Sequence, residues 1–253
     1  SATVTNQCVG TGSGFTIVAS ATGGSAPYTY TINTGVAPSS GNTFTVAPGT
    51  YTITATDANG CPDTTTITVN QRLTAVAAVT KDITCATPQE ATIRVNVSGG
   101  FAPFAYKVNI GGGGFGASTA FVGTSFIYTP SSTTGTTYEF EITDANGTPC
   151  IAITNVVTTN MPAPVTATTT IKNLTCFQSG NGAVTINPTV GVAPFEYNFN
   201  SLGFSTVSTY SNLAASTGLG YPYIVRDSKG CLFNGFAIVN EPNQIIFTAD
   251  PVP

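Results

Sequence analysis

Apolar and polar residues alternate along short runs throughout this chain. Tyr51, Ile53 and Ala55 are separated by Thr52 and Thr54, Tyr28, Tyr30 and Ile32 by Thr29 and Thr31, and Tyr138, Phe140 and Ile142 by Glu139 and Glu141. A period of two places each apolar set on one face of a half-buried strand. Residues that tolerate positive φ or bond their own backbone punctuate the runs: Gly23-Gly24-Ser25-Ala26-Pro27, Pro48-Gly49 and Asp57-Ala58-Asn59-Gly60. Over the first 70 or so residues the pattern predicts strands at Ala2–Thr5, Phe15–Ala19, Tyr28–Ile32 and Phe44–Val46, then a hairpin of Tyr51–Thr56 with Thr65–Val69. Closely spaced strands with no helical stripe predict a small β-sandwich.

The stretch GTYTITATDANGC, Gly49 to Cys61, returns as TYEFEITDANGTPC at Thr137 to Cys150 and as GYPYIVRDSKGC at Gly220 to Cys231. Self-similarity at this period marks a tandem array. The expected fold class is all-β, with three immunoglobulin-like sandwiches end to end. Their expected limits are 1–71, with its leading strand cut short, 72–161, which carries the insertion Gly111 to Gly116, and 162–243. Residues 244–253 read as the start of a further repeat, with Gln244 to Thr248 as its leading strand. The joints are a few residues long, Asn70-Gln71 and the proline-stiffened Asn160 to Pro164, which favours a rod over a flexible string. Three such units would span on the order of 100 Å.

Composition narrows the setting. Only 7% of residues are charged and His and Trp are absent, so solubility rests on neutral polar groups. Seven Lys and Arg against eleven Asp and Glu, scattered along the chain, leave no basic footprint for nucleic acid. No apolar segment approaches the roughly 20 residues of a membrane helix. The six cysteines fall two to a repeat, not in the close pairs that hold zinc. They point to disulfides and an oxidising, extracellular compartment.

Six cysteines allow fifteen pairings. If six strands alternate in direction, the first corner and the last turn of each sandwich share one end. This favours pairing within each repeat: Cys8 with Cys61, Cys85 with Cys150, Cys176 with Cys231. A closed loop of about 54 residues would contribute about 4 kcal/mol.

Catalytic chemistry finds few candidates. With no His and every Cys expected in a bond, carboxylates alone remain. Glu139 and Glu141 lie two apart on one strand face, the geometry of a glycosidase pair and equally of a solvated face, which is the reading we favour. Asp57 with Asn59 and Asp144 with Asn146 offer oxygens to calcium, but too few of them, and turn chemistry explains both pairs. No catalytic residue, metal or cofactor is assigned. Phe115 and Phe121, in and beside the glycine-rich insertion, are the candidate ligand-binding aromatics.

The corner sequences GGSAPYTY, GGFAPFAY and GVAPFEY, at Gly23, Gly99 and Gly191, together with the Asp-Ala-Asn-Gly-Cys hairpin and a closing Glu241-Pro242, resemble the SprB repeat of large cell-surface adhesins of gliding Bacteroidetes. The resemblance implies an immunoglobulin-like sandwich in a surface filament exported by type IX secretion. The expected role is therefore a non-enzymatic stalk whose partners are other repeats of the same longer chain. Two alternatives are a module that binds an extracellular glycan or surface ligand, and a filament subunit that assembles by strand pairing through Ile245 to Thr248.

Overall fold

In the computed structural model, which describes residues 1–10, 12, 14–87 and 89–248, every regular element is a β-strand. The first repeat contributes β1 (Ala2–Val4), β2 (Phe15–Ala19), β3 (Thr29–Ile32), β4 (Thr43–Val46), β5 (Gly49–Thr56) and β6 (Pro62–Val69). The second contributes β7 (Thr74–Lys81), β8 (Thr92–Ser98), β9 (Phe104–Ile110), β10 (Thr119–Phe121), β11 (Ser125–Tyr128), β12 (Thr136–Thr143), β13 (Ile151–Ile153) and β14 (Val157–Thr159). The third contributes β15 (Thr166–Lys172), β16 (Gly182–Val190), β17 (Glu196–Phe199), β18 (Phe204–Ser205), β19 (Thr209–Leu213), β20 (Tyr221–Arg226) and β21 (Leu232–Ala237).

Each repeat builds two sheets on the same plan. In the first, β1-β2-β4 faces β3-β5-β6; in the second, β7-β8-β11 faces a sheet ordered β10-β9-β12-β13, with β14 also on β12; in the third, β15-β16-β19 faces β18-β17-β20-β21. All pairings are antiparallel. Alternation along the strands decides what lies between the sheets. Phe15, Ile17, Phe44, Tyr51 and Ile53 fill the first core, Ile93, Val95, Tyr138, Phe140 and Ile142 the second, and Val184, Ile186, Phe199, Tyr223 and Val225 the third.

By contacts the chain divides into two compact units, one of residues 1–81, 92–130 and 136–159, the other of 82–91, 131–135 and 160–253. The first unit holds two of the cores and the second unit the third. Within the first unit the joint after β6 is fixed from both sides. Gln7 exchanges two hydrogen bonds with the Asn70 backbone, at 2.6 and 3.2 Å, and the Gly100 N–H donates to the Gln71 carbonyl at 2.8 Å. Gly99 lies against that joint so closely that a Cβ would stand 2.1 Å from the Arg72 carbonyl oxygen. Only glycine fits there, and its φ of +72° also favours glycine.

The strands do not simply alternate in direction. β3 leaves the Gly23–Pro27 corner, since Thr29 pairs with Thr56, yet β4 begins beside the end of β2, where Thr43 pairs with Val18. The two therefore run the same way, and residues 33–42 carry the chain back along the sandwich. In the second repeat β10 makes this return: Phe121 pairs with Phe104 and Thr119 with Tyr106. The glycine-rich segment forms its turn, with the Gly113 N–H on the Ile110 carbonyl and the Gly116 N–H on that of Val108. β18 takes this place in the third repeat. Order and directions are those of an immunoglobulin-type sandwich.

Gln244 to Thr248, expected as a leading strand, forms none. Among the described residues no strand pairs with it, and Ile245, Ile246 and Phe247 are 83%, 79% and 95% exposed. The remainder of the segment expected to open a further repeat, 249–253, lies outside the described residues.

Phe140 is fully buried and meets Tyr106, Phe126 and Tyr128 edge-on with ring centroids 5.4–6.2 Å apart. Phe140→Ala is expected to cost about 3–5 kcal/mol, measured by denaturant unfolding. A loss under about 1 kcal/mol would contradict this packing.

Candidate functional site

The same construction recurs three times where the last hairpin turn meets the proline corner. Asp57 opens the first turn. Its Oδ1 accepts the N–H groups of Asn59 and Cys61, each at 2.9 Å, and its Oδ2 accepts the Ser25 N–H across the sandwich at 3.1 Å. Asp144 does the same with Asn146 (3.3 Å), Cys150 (2.7 Å) and Phe101 (3.1 Å). Asp227 does so with Lys229 (2.9 Å), Cys231 (2.9 Å) and Val192 (3.1 Å). A backbone bond reinforces each: Ala58 to the Ser25 carbonyl, Ala145 to that of Phe101, Ser228 to that of Val192, at 2.8–2.9 Å. The corner prolines Pro27, Pro103 and Pro194 all follow cis peptide bonds. One carboxylate thus holds the turn and the corner together and fixes the cysteine that ends the turn.

This geometry answers the calcium reading. The carboxylate oxygens are occupied by N–H donors, which repel a cation, and the Asn59 side chain instead donates to the Ser25 hydroxyl at 3.0 Å. For Asp57 the donors from Cys61 and Ser25 hold the carboxyl below the ordinary Asp value, against a smaller opposing effect of desolvation.

The cysteines pair differently from the sequence expectation. Cys8 bonds Cys150, with Cα atoms 5.1 Å apart, and Cys85 bonds Cys231, at 4.7 Å. Cys61 and Cys176 are unbonded and exposed. The reason lies in the return segment. Because β3 and β4 run the same way, the Asp57–Cys61 turn falls at the far end of β2 from Cys8. A strand of five residues puts the two roughly 17 Å apart, well beyond disulfide reach. Cys8 instead packs against the core of the second repeat, and Cys85 against that of the third. The rule is therefore that the first cysteine of one repeat bonds the turn cysteine of the next.

The other candidate residues have structural places. Phe121 stacks on Phe104 at 5.8 Å and lies 4.7 Å from Phe126, so it is part of the second core and not a binding tip. Phe115 is half-buried and bridges to Asn109 at the turn end of the β9–β10 hairpin. Glu141 pairs across strands with Lys107 at 2.7 Å, and Glu139 accepts from Asn109 at 3.5 Å. Both carboxylates are thus engaged with their cross-strand neighbours. Among the described residues no group of three or more His, Cys, Asp or Glu is placed to hold a metal ion. The carboxylate clamp was missed from sequence, although one signal was there. An Asp precedes the turn cysteine in all three copies, and a Gly-x-x-Pro corner comes earlier in each.

The family described as SprB repeat matches the chain three times, at residues 1–37, 77–113 and 168–204, each match taking in all or part of the leading strand, the first cysteine and the proline corner. No curated protein matches it. Solved structures that show similarity include the fibronectin(III)-like modules of Clostridium thermocellum CbhA (10% identity over 64% of this chain and 95% of that one, TM-score 0.30), and a tetra-tandem repeat in the extending region of a large adhesion protein (16% identity over 95% and 74%, TM-score 0.29).

Three outcomes are expected. In the native, unreduced protein two thiols should react with a maleimide, and peptide mapping should place them at Cys61 and Cys176; labelling at Cys8 or Cys85 would contradict the pairing. Asp227→Ala removes an acceptor shared by three N–H groups where the side chain is 4% exposed, and should cost about 3–5 kcal/mol in denaturant unfolding. Because the Asp57 pKa is lowered on folding, its stabilisation is complete above the unfolded-state value and fades as pH falls through the folded one. The melting temperature of Asp57→Asn should therefore converge on that of the parent protein as the pH falls below the ordinary Asp range, and a gap that stays constant from neutral pH into strong acid would refute the clamp.

Proposed function

We propose that this chain is a non-enzymatic, load-bearing segment of a bacterial cell-surface adhesin, its SprB repeats forming part of a stalk or filament outside the cell. The observation that carries this reading is the register of the two disulfides, each running from the first cysteine of one repeat to the turn of the next. Such bonds do little for a site that binds or reacts, but they strengthen the joints of an array under tension. The threefold match to SprB repeats and the absence of His from the chain fit the same role. Gliding motility is the setting the family resemblance implies, with other repeats of a longer chain as partners.

The mechanism is mechanical. A pull applied at the ends enters the Cys8–Cys150 bond, crosses the second repeat between Cys150 and Cys85, and leaves through Cys85–Cys231. Chain lying outside that path cannot be drawn out while the bonds hold. In single-molecule pulling from the two ends, reductant should lengthen the fully unfolded contour roughly two- to threefold, since each released residue adds about 3.5 Å. On intact cells of the source bacterium, antibody against the chain should bind and external protease should remove the epitope. An epitope protected until lysis would overturn the surface role, and a contour insensitive to reductant would overturn the load path.

A further inference from the structure

We propose that the outer face of the β18-β17-β20-β21 sheet of the third repeat binds a neutral polysaccharide, with Phe236 stacking on a sugar ring and the amides of Asn198 and Asn234 bonding its hydroxyls. The first repeat supplies the contrast. There β5 turns Thr52, Thr54 and Thr56 outward beside Thr64 and Thr66 of β6, with Thr29 and Thr31 of β3 on the other side. Aligned on the clamping aspartates and the corner prolines, Thr31, Thr54, Thr64 and Thr66 become Asn198, Ile224, Asn234 and Phe236, while Thr29 and Thr56 become Glu196 and Arg226. A face that need only be soluble can keep its threonines. The other sheet of the third repeat does so, with Thr166 bonded to Thr189 at 2.7 Å and Thr185 to Thr209 at 3.1 Å.

Register sets the new side chains in a row across the strands. Phe204 lies opposite Asn198, Asn198 opposite Ile224 and Ile224 opposite Asn234, at strand spacings of about 4.8 Å. Phe236, two residues beyond Asn234 on β21, shares that face and is 55% exposed. Apolar and amide groups therefore alternate, which suits a ring with one C–H face and a rim of hydroxyls. The Asn198 Oδ1 accepts the Gly203 N–H at 3.1 Å, which fixes the amide and leaves its NH2 group to donate to a ligand. Asn234 is exposed beside it. At the far end the Arg226 guanidinium lies over Phe204, 4.0 Å from the ring centroid, and Glu196 accepts from its Nε at 2.9 Å and its Nη2 at 2.6 Å.

Charge and size select the partner. With Arg226 and Glu196 paired, the row is neutral, which matches an uncharged ligand and disfavours an acidic or basic one. Four strands about 4.8 Å apart, with the six residues of β20 at about 3.4 Å each, give a face of roughly 400 Å², about half of what each partner buries in a stable protein complex. That area suits a slender chain of sugars better than a second folded protein. The platform lies within one repeat, so it adds adhesion to the stalk without depending on the load path, and its failure leaves the surface role to its own tests.

The test is affinity electrophoresis of the full chain through native gels containing laminarin, xyloglucan, galactomannan or arabinoxylan, with alginate as the acidic contrast. At least one neutral polymer should retard the chain, and alginate should not. Phe236→Ala and Asn234→Ala should each weaken that retardation roughly tenfold, while Thr52→Ala, on the same face of the first repeat, should leave it unchanged. Melting temperatures close to that of the parent show that the variants are folded; should Phe236→Ala fold poorly, Asn234→Ala carries the comparison. No retardation by any neutral polymer, equal retardation by alginate, or retardation that neither variant lowers would overturn the proposal. A parent dimer in light scattering that Phe236→Ala dissociates would also overturn it, since a second copy would then cover the face.

Discussion

The arrangement depends on one carboxylate per repeat. A hairpin turn that juts from the end of a sandwich has unpaired backbone donors and no fixed direction; the aspartate satisfies three donors at once and ties the turn to the proline corner. The consequence is positional. The cysteine four to six residues further on is held where a neighbouring repeat's loop reaches it, so a local network of hydrogen bonds sets the connectivity of the array. Asp144 and Asp227 are buried in doing this, which an ionised group tolerates only when its oxygens are fully bonded.

Pairing between repeats changes what the disulfides do. A bond within one sandwich would stabilise that sandwich alone. The observed bonds close loops of 142 and 146 residues, which in the chain-entropy model contribute about 5 kcal/mol each, and the loops overlap between Cys85 and Cys150. The second repeat therefore belongs to both, and its unfolding is restrained from two sides. The joint residues Asn70 and Gln71 add bonds at the same place, so the first joint is held by covalent and polar contacts together.

Much of the fold was legible because period-two alternation and turn residues act locally. The strands of the first repeat lie where Phe15, Ile17, Phe44 and Ile53 put them, and those side chains are in the core. The disulfide pairing was not legible for a single reason: alternation gives strand positions but not directions. Residues 33–42 carry no pattern to say that the chain returns without reversing, and that one undetected return moves the hairpin turn to the opposite end. Phe121 was misplaced by similar reasoning. The glycine-rich insertion beside it suggests an exposed tip, but strand β10 folds back and places the ring against Phe104 and Phe126.

The scarcity of charge then has a physical account. The exposed sheet faces are finished with threonine, and its hydroxyls bond across strands: Thr50 with Thr68 at 3.2 Å, Thr80 with Thr92 at 2.8 Å, Thr166 with Thr189 at 2.7 Å and Thr185 with Thr209 at 3.1 Å. β-branched side chains suit a pleated surface, and cross-strand pairs of this kind contribute a few tenths to about 1 kcal/mol each. Unlike ion pairs they are not screened by salt. Among the described residues only Lys107–Glu141 and Arg226–Glu196 form salt bridges, and partly exposed pairs of this kind are worth about 1 kcal/mol or less. Stability thus rests on apolar cores, neutral hydroxyl ladders, bonded carboxylates and disulfides. Those four are the interactions that added salt weakens least.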